Sequence, residues 1–320
     1  MTTVNELIAS MSLPVIAAPM FIVSTPELAL ATCGQGMMGS FPAHTPRTGA
    51  ELEQWLITMA DGVKRLGDEG VEQVGPYGVN LVVSKGNQRL EDDLALCIKH
   101  KVPVILTSKG APGAVFDAVH DYGGLVFHDI GAARHAEIAL NAGADGLIAV
   151  CGGAGGHCGT LNPFALVNEV RQMTDKTIIL AGAISTGRDV LAAQVMGADL
   201  VYMGTRFINT EESGAEDGYR QMIIDTCATD IFFGTITDAP SNTLIPSLLR
   251  AGVTLEDLRK QDPETLLVLQ ERKKRWKDIW SAGHGVGAIH DVLSVADLAD
   301  RLKAEYKAAK DDMKRLQDVV

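Results

Sequence analysis

A chain of 320 residues, 46% of them hydrophobic and 33 of them glycine, can bury one large α/β core or two ordinary ones. Its 28 basic and 40 acidic residues give a net charge of −12 without a basic stripe, which argues against nucleic acid as the main partner. No apolar run approaches the roughly 20 residues that span a bilayer, and the N-terminal residues do not resemble a secretory signal. We therefore expect a cytoplasmic protein with no membrane partner.

Short apolar runs recur along the first two thirds of the chain. They lie at 14–19, 36–41, 77–83, 102–107, 124–128, 146–150, 177–181 and 199–203. Near-continuous apolarity without strict alternation is typical of parallel strands that are buried on both faces. These runs predict eight strands.

Helical segments separate the runs, as at 129–142 and 186–196, and Gly-Ala-Asp follows each of these two segments at 143–145 and 197–199. The glycine of that motif is the residue expected where a helix ends and the chain returns to a strand. Eight strands in alternation with helices favour a (β/α)8 TIM barrel, and a doubly wound open sheet is the alternative.

The loops after five of the runs carry unusual chemistry. In a barrel these loops converge on one rim, which is where active sites lie. The residues are Ala18, Pro19, Met20, Asn80, Gly155, Gly156, His157, Gly182, Ala183, Ile184, Ser185, Gly204, Thr205 and Arg206.

His157 ends a glycine-dense loop after the sixth run. Glycines let a backbone approach a ligand closely, and a histidine exchanges protons near neutral pH, so His157 is the candidate acid/base group. A merely structural histidine is the alternative. The loop does not match the dinucleotide fingerprint, because no third glycine opens a helix. Cys151, His157 and Cys158 lack the spacing of a metal site, and five scattered cysteines indicate reduced thiols.

The turns after the last two runs, at 181–184 and 203–206, lie where barrels commonly bind phosphate. Backbone N–H groups there can hold an anion without a lysine. The alternative is a pair of ordinary tight turns.

The alternation ends after residue 206. We predict a barrel core at 1–206, a helical lid over the barrel mouth at 207–283 and a C-terminal segment at 284–320 that returns to the barrel. The lid includes the basic stretch 270–277 and ends in a small-residue loop with Trp280, Ser281 and His284. The amphipathic tail at 295–320, with Leu298 and Leu302 at helical spacing, is predicted to be a packing helix.

These motifs resemble the nitronate monooxygenase (2-nitropropane dioxygenase-like) family of FMN-dependent barrel proteins. The similarity lies at 18–20, 78–81, 146–159, 181–184, 202–207 and 280–283 and covers nearly the whole chain. It implies that Ala18, Pro19, Met20 and Asn80 border FMN, that Gly155 and Gly156 lie beside its ring, and that His157 is catalytic. It also implies that Gly182, Ala183, Gly204 and Thr205 cradle the phosphate.

One position departs from the family. Some members have a lysine that reaches the flavin where this chain has Asp129, and a carboxylate opposes negative charge on a reduced flavin. Either Lys109 on the neighbouring loop replaces that lysine or the redox tuning differs. Lys109, Trp280, Ser281 and His284 are expected in the substrate pocket.

The resemblance implies oxidation of alkyl nitronates, or of nitroalkanes, by dioxygen to a carbonyl compound and nitrite. An alternative is an NAD(P)H-dependent FMN reductase of quinones, enoyl compounds or CoA-linked substrates, and a non-enzymatic flavin-binding or purely structural barrel is a third. The expected partners are a small-molecule substrate and either dioxygen or NAD(P)H, with a homodimer left open.

Overall fold

The computed structural model describes residues 3–110, 113–234, 240–260 and 278–317. In chain order its strands are β1 (Val15–Ala17), β2 (Gly39–Pro42), β3 (Tyr77–Val82), β4 (Val104–Ser108), β5 (Leu125–Ile130), β6 (Gly146–Val150), β7 (Gly156–His157), β8 (Thr177–Ala181), β9 (Leu200–Met203), β10 (Ile231–Gly234) and β11 (Ser241–Leu244). The first nine strands other than β7 form one parallel sheet in the order β1-β9-β8-β6-β5-β4-β3-β2.

The two edges of this sheet meet, which makes it a closed barrel. Ile16 of β1 bridges Met38, the residue before β2. The Ala17 N–H donates to the Met38 carbonyl at 2.9 Å, and the Met38 N–H donates to the Val15 carbonyl at 3.0 Å. The prediction of a (β/α)8 barrel is therefore confirmed, and the alternative of an open, doubly wound sheet is wrong. Each of the eight predicted strands is present.

Helices pack around the barrel and carry the chain between its strands. They are α1 (Val4–Ala9), α2 (Pro26–Gly34), α3 (Gly49–Asp68), α4 (Leu90–Lys99), α5 (Gly113–Asp121), α6 (Ala133–Asn141), α7 (Pro163–Arg171), α8 (Gly187–Met196), α9 (Thr205–Ile208), α10 (Asp217–Ile224), α11 (Ile245–Arg250), α12 (Leu255–Lys260) and α13 (Val295–Gln317). Helix α13 packs against α8 and α2, and its residues Leu298 and Leu302 are buried. None of the helices in the described ranges combines the length and the apolarity that a bilayer span needs.

The barrel interior is a separate apolar layer beneath the rim. Ile16, Met38, Leu106, Phe127 and Ile148 are fully buried within one cluster. Leu7 and Met11, from α1 and the turn after it, belong to the same cluster. Successive side chains along a strand point to opposite faces, so residues two positions apart face the same side. The next interior-facing residue on each strand therefore lies at the C-terminal rim.

The aspartate of each Gly-Ala-Asp motif joins two strands and a helix at the opposite end of the barrel. The Asp199 carboxylate accepts hydrogen bonds from the Ile178 N–H at 2.8 Å and from the Arg171 guanidinium at 2.6 Å. Asp145 repeats the arrangement with the Val126 N–H at 2.8 Å and His120 at 2.9 Å. The sequence analysis recognised only the glycine of this motif.

The segment after β9 contains strands as well as helices. β10 and β11 form an antiparallel hairpin, and β11 also pairs with β7. The sequence predicted a helical lid here, because β7 and β11 are too short and too polar to give a strand pattern. The basic stretch 270–277 lies outside the described residues, and the division of the chain at 206 and 283 stays a prediction.

The Asp199 bridge predicts a measurable contribution to folding. Asp199→Ala removes the acceptor for the Ile178 N–H and the ion pair with Arg171, so the free energy of unfolding should fall by about 1–3 kcal/mol. Urea denaturation followed by circular dichroism measures this change. Asp175→Ala, at an exposed aspartate in the loop before β8, is the control, and equal losses in both variants would contradict the assigned role.

Candidate active site

A cavity of about 630 Å³ opens at the C-terminal ends of the barrel strands, a size usual for a small-molecule site. All eight barrel strands, or the loops that follow them, contribute to its lining. The lining also includes Ile279, Ser281, Gly283 and Gly285 from the chain after residue 278. The barrel rim and this later segment therefore enclose one site.

The floor of the cavity is the last interior position of several strands. Each floor residue lies two positions after an interior residue of the same strand, so its side chain also faces the barrel interior. These residues are Ala18, Asn80, Ser108, Asp129 and Tyr202. Four of these five side chains are polar, whereas Val150 and Ala181, the corresponding residues of β6 and β8, are apolar, so the interior becomes partly polar at its last positions before the rim.

Asn80 is held in place by its neighbours. Its side-chain amide donates to the Leu106 carbonyl at 3.0 Å and to the Ser108 hydroxyl at 3.3 Å. Both donor hydrogens are thereby used within the floor, which leaves the amide oxygen as the group that can accept from a ligand.

Asp129 is the least compensated group of the floor. Its Oδ1 atom is buried and has no hydrogen-bond partner among the described residues. Burial raises the pKa of the Asp129 carboxyl to about 7, because an apolar environment disfavours the charged form. Burial also raises the pKa of the Tyr202 phenol, and the charge of Asp129 raises it further.

Three backbone segments meet at one side of the cavity. A Cβ atom on Gly155 would lie 2.8 Å from the Gly283 nitrogen, and one on Gly283 would lie 2.4 Å from the Gly153 carbonyl oxygen. A Cβ atom on Gly285 would lie 2.4 Å from the Ser185 hydroxyl. These glycines are therefore required by the packing of loops against each other, including Gly155, for which the family resemblance implied a position beside the flavin ring.

The two glycine turns after β8 and β9 form a polar recess. Gly182 and Ala183 are left-handed, with φ of +139° and +56°, while Gly204 (φ −99°) begins the turn into α9. The nearest side chains to a Cβ atom on Gly204 would be those of Met20 and Ala18, at 3.5 and 3.7 Å.

Two hydroxyl groups complete this recess. The Thr205 hydroxyl accepts a hydrogen bond from the Gly283 N–H at 2.9 Å, which leaves its own proton to donate. The buried Ser185 hydroxyl lines the cavity and has no partner among the described residues. Free hydroxyl donors beside two glycine turns suit an anionic group such as a phosphate.

His157 reaches the cavity from strand β7. Ser241 of β11 pairs with His157, and Asn242 pairs with Gly156. The Asn242 amide donates to the Ala154 carbonyl at 2.7 Å, which fixes the glycine loop before His157. The support for the candidate acid/base group thus comes from a segment more than 80 residues later in the chain.

Sequence reasoning missed several lining residues. His44 stacks on Phe21, with ring centroids 5.2 Å apart and an angle of 18° between the planes. The pKa of His44 is lowered by burial and further by the charges of Arg89 and Lys109, so its imidazole is neutral at pH 7. The lining also includes Tyr202, His135 and Cys158, and only their distance from a barrel strand end could have indicated them.

Residues with side chains in the strained, positive-φ conformation lie at or next to this cavity. Among described residues other than glycine, Ile22, Lys101, Lys109 and Ala183 have positive φ. Lys109 and Ala183 line the cavity, and Ile22, a β-branched residue at φ +69°, lies between the lining residues Phe21 and Val23. Left-handed residues with side chains cost energy, and they concentrate at functional sites.

Two residues expected in the substrate pocket lie outside the cavity lining. The Trp280 indole stacks on Tyr219 at 4.9 Å, and the Arg250 guanidinium lies 3.6 Å from the indole centroid. His284 is exposed, and its backbone N–H donates to the Gly153 carbonyl at 2.9 Å. Trp280 thus packs behind the wall that Tyr219 forms, while Ser281 and Lys109 do line the cavity.

The other residues expected at the site all lie in the lining. They are Ala18, Pro19, Met20, Asn80, Asp129, Gly155, Gly156, His157, Gly182, Ala183, Gly204 and Thr205. Their roles toward a ligand remain predictions. The described residues contain no group of three or more histidine, cysteine or acidic side chains arranged to hold a metal ion.

Comparison with known proteins bears on the site. Residues 3–305 match the family model described as nitronate monooxygenase. The chain is 27% identical to a probable nitronate monooxygenase of Staphylococcus haemolyticus, over 87% of this chain and 90% of the relative. It is 31% identical to a (3aS,4S,5R,7aS)-5-hydroxy-7a-methyl-1-oxo-octahydro-1H-indene-4-carboxyl-CoA dehydrogenase of Rhodococcus jostii, over 68% of this chain and 58% of the relative. The structure of FabK from Thermotoga maritima has the same fold, with a TM-score of 0.81, 23% identity, and coverage of 99% of this chain and 98% of that one.

The half-buried Asp129, whose Oδ1 atom is fully buried, predicts an unusual dependence of stability on pH. Its pKa rises from 3.8 to about 7 in the folded protein, so between these values the folded state binds more protons than the unfolded state. Stability is therefore lost as the pH rises through this window, by up to about 4 kcal/mol above pH 7. Asp129→Asn should gain stability relative to the wild type progressively from about pH 4 to pH 7 and by a constant amount above.

Thermal and urea unfolding of the ligand-free protein at several pH values measures this gain. Asp121→Asn, at an exposed aspartate at the end of α5, is the control and should show no such pH-dependent gain. A difference between Asp129→Asn and the wild type that is the same at pH 4.5 and pH 8 would show that the carboxyl titrates normally.

Proposed function

The chain belongs to the nitronate monooxygenase family, and from this premise we propose that it binds FMN and uses dioxygen to oxidise alkyl nitronates to a carbonyl compound and nitrite. It is a flavin-dependent oxidoreductase of that family. The observation that carries the proposal is a single cavity that holds His157, a polar floor and the two glycine turns after β8 and β9.

The residues of the cavity fit FMN. Gly182, Ala183, Gly204 and Thr205 would hold the phosphate, because their turns combine room for an anion with a hydroxyl donor at Thr205. The unpartnered Ser185 hydroxyl adds a second donor on the same side.

The isoalloxazine ring would be bordered by Ala18, Pro19, Met20 and Asn80 from the loops and strand ends at β1 and β3. When bound, FMN would supply the redox chemistry, by accepting electrons from the substrate and passing them to dioxygen. The protein would contribute orientation, exclusion of water and control of the substrate's proton.

His157 would control that proton. With a neutral nitroalkane, its imidazole would remove the proton from the carbon next to the nitro group, and with a preformed nitronate it would hydrogen-bond the nitro oxygens. The β7–β11 pairing holds the residue at the cavity wall, which gives the orientation that proton transfer requires.

A second candidate is an NAD(P)H-dependent FMN reductase of quinones, enoyl compounds or CoA-linked substrates. It is favoured by the 31% identity to a relative named as a CoA-ester dehydrogenase. Lys109, an exposed cation in the cavity lining, would suit the phosphates of such a substrate. Anaerobic mixing of the flavin-loaded protein with NADH, and separately with ethyl nitronate, distinguishes the two by which compound bleaches the flavin absorbance.

FMN binding is tested at Gly204. Its backbone is compatible with a side chain, and a Cβ atom there would point toward Met20 and Ala18 in the cavity. Gly204→Leu should therefore fold normally but bind FMN at least about tenfold more weakly, a loss of about 1.4 kcal/mol. Gly67→Leu is the control, because Gly67 lies in open space on α3. Fluorescence titration of the ligand-free proteins gives the dissociation constants, and equal FMN affinities in both variants would contradict the assignment of the turn.

The role of His157 is tested with two forms of one substrate. His157→Asn should slow turnover of neutral nitroethane by roughly 10²–10⁴, the usual contribution of a general base, and should slow turnover of ethyl nitronate much less. His284→Asn, outside the cavity lining, should leave both rates unchanged. Oxygen consumption and nitrite release measure the rates, with flavin content checked in each variant. An equal loss on both substrate forms would mean that His157 only positions the substrate.

A further inference from the structure

Asp129 is a titratable group that the proposed mechanism does not use. Its side chain points into the barrel at the end of β5, two residues beyond the fully buried Phe127. Its register partner on β6 is the buried Ile148, so one flank of the carboxyl is apolar. On β4 the corresponding residue is Ser108, which follows the Thr107–His128 pair.

The surroundings of Asp129 provide little for a carboxylate. Oδ1 has no donor among the described residues, so the Ser108 hydroxyl on the neighbouring strand, which accepts from the Asn80 amide at 3.3 Å, makes no hydrogen bond to it. An ionised carboxylate with an unpartnered oxygen in such a place costs far more than a neutral carboxylic acid.

The titratable groups that share the cavity lining with Asp129 make no hydrogen bond to its Oδ1 atom. They are Lys109 from the loop after β4, His135 from α6, Tyr202 from β9, His157 from β7, His44 from the loop after β2 and Cys158 from the chain after β7. Burial raises the pKa of Asp129, and the charge of Asp129 in turn raises the pKa of the Tyr202 phenol. Tyr202 is itself a neutral phenol, so it adds no positive charge that would favour the carboxylate.

We propose that Asp129 is a neutral carboxylic acid at the cavity floor and that it donates a hydrogen bond to an anionic group of the bound ligand. A carboxyl group is a donor only while it holds its proton, and a protonated acid in an apolar pocket can stabilise a neighbouring anion. The anion would be either the nitronate of the substrate or the anionic form of reduced FMN, so the proposal rests on the proposed function.

The donor should switch off as the pH rises. With a carboxyl pKa of about 7, the acid form makes up about nine tenths of the protein at pH 6 and about 3% at pH 8.5. A ligand that binds only the acid form should therefore bind about thirtyfold more weakly at pH 8.5 than at pH 6. Asp129→Asn keeps a neutral hydrogen-bond donor but does not titrate, so its affinity should change far less.

The experiment has two arms that separate the two sources of the anion. In the first, sodium nitrate, a planar anion that resembles the nitro group and that flavin does not oxidise, is titrated by calorimetry into wild type and Asp129→Asn at pH 6 and pH 8.5. In the second, the dissociation constants of oxidised and dithionite-reduced FMN are measured anaerobically at the same two pH values. His135→Gln is the matched control, because it removes a different titratable group from the lining.

We expect a pH-dependent loss of affinity in wild type and His135→Gln that is absent in Asp129→Asn. If nitrate binding shows this loss, the anion that Asp129 contacts is the substrate. If the affinity for reduced FMN falls relative to that for oxidised FMN as the pH rises, the anion is the reduced flavin. An identical pH dependence in wild type and Asp129→Asn in both arms, or no pH dependence in wild type, overturns the proposal. Failure of the wild type to bind FMN at any pH would instead refute the proposed function, because the nitrate arm does not need the cofactor.

Discussion

The site depends on the close approach of three backbone segments: the loop before β7, the turn after β8 and the chain at 282–285. No side chain fits at Gly155 or Gly283, where a Cβ atom would lie 2.8 Å or less from backbone atoms of the other segment. This contact brings residues near the end of the chain onto the barrel rim. His157 follows directly after this joined region, and the Thr205 hydroxyl accepts a hydrogen bond from its Gly283 N–H. A displacement of any one segment would therefore move the candidate acid/base group and the phosphate turns together.

The barrel could be predicted from sequence because each of its strands is buried on both faces and is therefore apolar throughout, as at 146–150 and 177–181. The site residues at strand ends followed from the same rule, since parallel strands place their C-terminal ends on one rim. The supporting hairpin could not be predicted. His157 lies on a two-residue strand, and its partner β11 has the sequence Ser-Asn-Thr-Leu, which has no apolar pattern.

Aromatic and glycine signals had more than one physical explanation. Trp280 stands in a small-residue loop that does reach the cavity, yet its indole packs between Tyr219 and Arg250. Sequence spacing cannot tell a ring that faces a ligand from one that supports the wall behind it. The glycines of 152–156 posed the same difficulty, because close approach to a ligand and close approach to another loop both demand a missing side chain.

The titratable groups of the site lie at different depths in the cavity. Lys109 lies at the exposed side of the lining, the neutral His44 imidazole lies near it, and Asp129 lies at the floor. In a chain of net charge −12, a cation at the entrance offsets the repulsion that an anionic ligand meets on approach. A carboxylate at the floor would then repel that ligand, but a carboxylic acid would donate to it. Burial therefore reconciles an aspartate at this position with chemistry that develops negative charge, since the lack of a donor for Oδ1 makes the ion costly and so keeps the proton in place.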